Sequence, residues 1–106
     1  DAEWTTLTTY LGGESVAGGK MKEAGESHWT SPNTGATNES GFTALPGGYR
    51  YLNGSFDDIG SFGYWWSSTQ ILTNLAWTRY LYYNNSFVFR YYYDKDYGFS
   101  VRCLRD

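Results

Sequence analysis

One histidine, two aspartate pairs, one cysteine and a surplus of phenols are the residues of this 106-residue chain that could do chemistry. His28 is the only imidazole, so any Ser–His–acid relay must pass through it. It stands beside Trp29 in a turn-rich stretch with no nucleophile-elbow motif, and no catalytic triad is expected there. Asp57-Asp58 and Asp94/Asp96 could supply the two carboxylates of a glycosidase. Both pairs, however, sit in turn-like sequence, where aspartate bonds its own backbone. Asp57-Asp58 could also join loop carbonyls around a calcium ion, but no calcium-loop ligand spacing surrounds it. The glycines of Leu45-Pro46-Gly47-Gly48 and of Phe62-Gly63 open no helix and cannot form a phosphate cradle. They suit positive φ and close backbone approach instead. The expectation is a non-enzymatic protein with no metal and no cofactor.

The phenols are different. The chain has eleven tyrosines, five tryptophans and six phenylalanines, and seven of the tyrosines lie between Arg79 and Phe99. Leucine or valine would fill a core without hydroxyls. The surplus of hydroxyls therefore points to one face of this region meeting water and a ligand. Tyrosine and tryptophan give large contact area with few rotors to freeze, which suits recognition surfaces. The same rings stack on sugars.

The elements that must position these rings can be read from periodicity and punctuation. Residues 1–11 read as a helix, with Asp1 at its N-terminus and Gly12-Gly13 as its exit. Trp4, Leu7 and Leu11 form its core-facing stripe, with Tyr10 at the edge. A second helical turn is expected around Ala17–Glu23. From Glu26 to Leu45 the composition turns to Ser, Thr, Asn, Gly and Pro. So long a loop needs pins, and Trp29, Phe42 and Leu45 are the candidates. Residues 47–56 read as a hairpin turned at Asn53-Gly54. Strands are expected at 62–69, 75–83, 86–93 and 97–106, with tight turns at Asn84-Asn85 and Asp94–Asp96. The fold class is α+β: one or two N-terminal helices, a long looped middle and a small antiparallel sheet, in one domain over 1–106.

Bulk properties exclude several partners. Net charge is −3 and the eight basic residues are scattered, so no phosphate-tracking patch exists and no nucleic-acid partner is expected. No apolar run approaches the roughly 20 residues of a membrane span. Cys103 is the only cysteine, so it reads either as a small buried apolar residue or as one half of a disulfide whose partner precedes Asp1. The chain opens inside a helix pattern, and a preceding segment is expected.

Strand alternation sorts the rings into two rows. In 75–83 one row is Leu75, Trp77, Arg79, Leu81 and Tyr83; the other is Ala76, Thr78, Tyr80 and Tyr82. In 86–93 Ser86, Val88, Arg90 and Tyr92 oppose Phe87, Phe89, Tyr91 and Tyr93. Arg79 and Arg90 share the row of the aliphatics, which suggests arginines bonded to loop carbonyls or carboxylates. The candidate ligand face is Thr78, Tyr80, Tyr82, Asn85, Phe87, Phe89, Tyr91 and Tyr93, with Trp65 and Trp66 nearby. Its ligand is expected to be a glycan or a protein. The alternative is a structural or spacer module whose rings are all core.

The stretches DAEWTTLTTYLGG, GFTALPGGYR, GSFGYWWSST and the terminal GFSVRCLRD, in that order, resemble the Fibrobacter succinogenes major paralogous domain. The resemblance covers essentially the whole chain. That family is similar to the formylglycine-generating-enzyme and C-type-lectin-like superfamily. The resemblance implies a C-type-lectin-like fold and a module of an extracellular or bacterial cell-surface protein; carbohydrate binding or adhesion is the use expected of the ring face itself. It also implies that a cysteine-containing strand precedes the residues matching Asp1, which would supply a partner for Cys103. A fragment lacking that strand would expose a sheet edge to strand exchange between copies. No active site carries over: the copper-binding cysteines have no counterpart, and the Glu-Pro-Asn and Trp-Asn-Asp motifs of calcium-dependent lectins are missing. Some proteins of this fold are diversified by retroelements near the C-terminus, where residues 78–97 lie here.

Overall fold

A computed structural model describes residues 1–105. Helix α1 spans Ala2–Tyr10 and α2 spans Glu14–Met21. A two-residue-per-strand hairpin, β1 (Tyr49–Arg50) and β2 (Phe56–Asp57), precedes the main sheet. That sheet is an antiparallel meander of β3 (Phe62–Leu72), β4 (Leu75–Tyr82) and β5 (Phe89–Asp94), in the order β3-β4-β5. The α+β class, the hairpin at Asn53-Gly54 and the meander follow the sequence reading. Among the described residues no helix is long and apolar enough to cross a membrane.

The inner face of the sheet meets the helices and the long loop. Its core is Leu11, Ala17, Met21, Trp29, Ala44, Trp65, Leu81 and Val88, all buried. Trp4 and Leu7 of the expected helical stripe are only half-buried against this core, and Tyr10 faces solvent. Thr8 is the buried residue of α1, its hydroxyl donating to the Trp4 carbonyl at 2.8 Å.

Helix α2 is longer than the expected turn and carries two glycines. A Cβ on Gly18 would lie 2.2 Å from the Phe87 carbonyl oxygen, and one on Gly19 would lie 2.3 Å from that of Gly35. The helix accepts about 1 kcal/mol per glycine because the chain must pass this close. The loop then satisfies the helix C-terminus. Thr37, Ser40 and Ala44 donate backbone N–H groups to the carbonyls of Gly19, Lys20 and Met21, groups that no residue within α2 could reach.

Of the three expected pins, Trp29 is fully buried and its indole N–H donates to the Ala44 carbonyl at 2.9 Å. Phe42 packs between Trp4 and Trp65. Leu45 does not pin the loop: it is 47% exposed, and its neighbour Ala44 is buried in its place. The small residue is needed there because Ala44 exchanges backbone bonds with Met21 and Glu23 and sits under Trp29.

Two strand assignments are corrected. Residues 83–88 form a longer connection rather than a tight Asn84-Asn85 turn, and β5 begins at Phe89. The reason is competition for backbone: the Ser86 carbonyl accepts from Gly19 and the Val88 N–H donates to Glu14. Residues 97–105 form no continuous strand. Gly98 bridges Arg50 and Ser100 bridges Trp65, so this segment crosses between the two sheets instead of extending either. Asp106 lies outside the described residues. Cys103 is exposed, not buried.

The arginines are held by a carboxylate, as their row suggested. Asp1 accepts from Arg79 Nη1 at 2.7 Å and from Arg90 Nη2 and Nε at 2.9 and 3.1 Å. Arg90 also lies over the Trp77 ring at 3.5 Å. Arg79, 3% exposed, adds the Thr5 hydroxyl and its own strand's Thr78 carbonyl. This ties the start of α1 to β4 and β5.

Candidate functional site

The outer face of the sheet carries a second, separate layer of rings. Register places Phe62 opposite Tyr82, Tyr64 opposite Tyr80, Trp66 opposite Thr78, Thr78 opposite Tyr91 and Tyr80 opposite Phe89. Directly opposed residues share a face, so the two rows read from alternation are the two faces of this sheet. The rings form a continuous contact chain. Phe62 stacks on Tyr82 at 4.3 Å, Tyr80 on Phe89 at 4.7 Å and Tyr64 on Phe99 at 4.9 Å. Tyr93 meets Tyr64, Tyr97 and Phe99 edge-on. Such contacts add about 0.5–1.5 kcal/mol each beyond burial, which fixes ring orientations without a second hydrophobic core.

The ten candidate residues fall into three groups. Phe87 and Tyr91 are open, at 45% and 44% exposure, and Tyr80, Tyr82, Phe89, Tyr93 and Trp66 are half-buried on the same face. Asn85 is half-buried at its end, but its groups are occupied: the side-chain oxygen accepts from the Phe87 N–H and the carbonyl from Lys22. Trp65 and Thr78 are corrections. Trp65 points inward, 3% exposed, against Trp4 and Phe42. Adjacent tryptophans on one strand must face opposite ways, so only Trp66 could belong outside. Thr78 lies in the outer row but is fully buried, its hydroxyl donating to the Tyr91 carbonyl at 2.9 Å.

Phe62 and Tyr64 share parity with Trp66 and could have been found from that alternation. Tyr49, Tyr97 and Phe99 could not, because they reach the layer through the hairpin and the crossing segment rather than through the sheet's own period.

The layer's hydroxyls sit in a poor environment for charge. Burial, helped by Tyr93 and the Asp58 carboxylate, raises the Tyr64 phenol strongly. Burial likewise raises Tyr49, Tyr80 and Tyr93. For Tyr82 the leading cause is its hydrogen bond with Tyr83. The folded protein therefore keeps phenolic protons that the unfolded chain releases near pH 10. Their stabilisation is whole below that pH and is lost as pH rises through the folded values. Alkaline titration at 295 nm is expected to show tyrosinate appearing together with loss of near-ultraviolet circular dichroism above about pH 10. Smooth ionisation of all phenols at the ordinary value, in an intact fold, would contradict it.

The other chemistry-bearing residues lie elsewhere. His28 is exposed and pairs through Nδ1 with Glu23 at 2.9 Å; among the described residues no serine or threonine hydroxyl bonds to it. Asp57 Oδ1 accepts the Asp58 N–H, and Asp94 Oδ1 accepts the Asp96 N–H, so both pairs act as turn formers. Among the described residues no three His, Cys, Asp or Glu side chains converge as a metal site. What the outer face can do is stack flat ligand surfaces, offer phenols as donors and acceptors, and attract cations to ring faces.

Comparison with curated proteins and with solved structures finds no match. The family model described as the Fibrobacter succinogenes major domain matches residues 1–105. With the order of its motifs and an α+β architecture that spans the same residues, the chain belongs to the Fibrobacter succinogenes major domain family.

Proposed function

We propose that this chain is a non-enzymatic binding module of a bacterial surface or secreted protein, built on a C-type-lectin-like fold. Its ligand, a glycan or a protein, docks on the outer face of the β3-β4-β5 sheet. The observation that carries this reading is the half-open ring layer itself. Eight aromatic residues of the three strands line the side of the sheet away from the core, and Tyr91 and Phe87 remain close to half exposed. A purely structural layer gains nothing from leaving such area in water. Retroelement diversification fits the outward-facing positions of residues 78–97, while Arg79, Leu81 and Val88 of the same span are buried on the inner side and would stay fixed. The reading also includes association of copies through an open edge, for which β5 is available.

The spacer alternative draws on one observation: Tyr64, at the centre of the layer, is buried. A glycan array and a pull-down, each run with the native chain and with a Phe87→Ala/Tyr91→Ala variant, separate the two. The binding reading expects a retained ligand whose affinity falls at least tenfold in the variant, roughly 1.4 kcal/mol or more. Ligands that bind both forms equally, or none at all, would favour the spacer.

A further inference from the structure

We infer that the partner of the outer face is a cationic protein segment, one that presents arginine or lysine side chains to the rings and to the carboxylates at their edge. This rests on the binding reading above and narrows its ligand. Three observations carry it. The first is the layer itself, a run of ring faces and edges whose quadrupoles present negative potential to solvent.

The second is where six of the chain's eight basic residues are. Arg79 and Arg90 are held on the inner side by Asp1, and Lys22 is wrapped in backbone carbonyls. Arg50 pairs with Phe56, on the side of the hairpin opposite Tyr49, and Arg102 lies over Phe42 beside α1. Lys95 does lie on the outer face, but at the far end of the sheet, where it donates to Gln70 beside Trp66, away from the hairpin end of the layer.

The third is where the carboxylates are. Asp57 stands opposite Tyr49 in the hairpin register, on the side whose ring contacts Tyr64, Tyr97 and Phe99. Asp58 follows it and is half-buried, close enough to oppose ionisation of the Tyr49, Tyr64 and Tyr82 phenols. Among the described residues neither aspartate joins a salt bridge. A guanidinium has a planar fork for a carboxylate and a flat face for a ring, so arginine satisfies both features at once. The net charge of −3 adds attraction at long range.

The test uses a fluorescein-labelled peptide of alternating arginine and glycine, followed by anisotropy against the full chain. Comparators are a neutral oligosaccharide panel, choline and a chitosan oligomer. Variants are Tyr91→Ala and Asp58→Asn; asparagine tolerates the left-handed backbone of position 58 (φ 59°). The expected result is peptide binding that falls at least tenfold in each variant, with unchanged circular dichroism, and that weakens several-fold as salt rises from roughly 20 to 200 mM. No peptide binding at millimolar concentration, or binding indifferent to both substitutions, overturns the inference. A neutral oligosaccharide that binds and is lost in Tyr91→Ala, with no peptide binding, overturns the cationic class while leaving the binding face intact. Chitosan or choline binding more tightly than the peptide overturns the commitment to a protein. If neither Tyr91→Ala nor Phe87→Ala alters any binding, the face itself falls.

Discussion

Replacing Lys22 with methionine is expected to cost about 2–4 kcal/mol of stability at neutral pH. Lys22 is 0% exposed and, among the described residues, has no carboxylate partner. Its ammonium instead donates to three backbone carbonyls, of Thr34, Tyr82 and Asn85, at 2.9, 3.0 and 2.9 Å. One side chain at the end of α2 thereby holds the long loop, the end of β4 and the turn that leads to β5. Trp29 lies 5.4 Å from the same nitrogen and adds a cation–π contact. Two effects oppose each other. Burial pushes the amine down to about 8, a penalty of roughly 3 kcal/mol on the charged form. Methionine removes that penalty but leaves three buried carbonyls without a donor, at about 1–3 kcal/mol each, and the middle of that range exceeds the penalty by about 3 kcal/mol.

The same group sets a pH dependence. The unfolded lysine keeps its proton to about 10.5, while the folded one releases it near 8. Between those values the unfolded state binds more protons, so stability rises with pH. The gain is about 2 kcal/mol between roughly pH 7 and 9.5, before the tyrosines reverse it above 10. Urea denaturation across that range checks both statements. The native chain is expected to show the rise and Lys22→Met to lack it. A methionine variant as stable as the native chain at neutral pH would mean that the carbonyl cradle contributes nothing.

Nothing local in Lys20-Met21-Lys22-Glu23 signals that Lys22 is buried while Lys20 is not. The distinction comes from three segments far apart in sequence that turn their carbonyls to one point. The same division runs through the rest of the fold. Helix α1, the Asn53-Gly54 hairpin and the meander were legible because glycine exits, turn dipeptides and alternation are local. The two rows of β4 and β5 were legible for the same reason, since period 2 fixes which residues share a face. The terminal segment was not. Tyr97–Arg102 has the alternation of a strand, but its neighbours Arg50 and Trp65 belong to different sheets, and only tertiary placement decides that. Leu45 and Ala44 show the limit of ranking pins by apolar size: the close approach of the loop to α2 selected the smaller residue. At the candidate site, alternation assigned the faces correctly but could not tell that Thr78 is enclosed between Trp66 and Tyr91.

The second large effect separates the buried centre of the ring layer from its open margin. Tyr64 is 8% exposed and touches Tyr49, Phe62, Tyr80, Tyr93 and Phe99. Removing its ring opens a cavity that five other rings cannot close without losing their mutual contacts. Tyr64→Ala is therefore expected to cost about 3–5 kcal/mol. Tyr91 touches Tyr92 and Tyr93, and nearly half of it meets water. Tyr91→Ala gives up only partial burial and some strand propensity, about 1 kcal/mol or less.

The measurement that tests the two-sided sheet most directly is the pair of denaturation curves for Tyr64→Ala and Tyr91→Ala under identical conditions. A large loss for Tyr64→Ala beside a midpoint nearly unmoved for Tyr91→Ala is the expected result: a rigid ring layer with a free outer surface for a ligand. Equal, large losses would show that the outer rings are a second core, and the binding face would have no surface left to use.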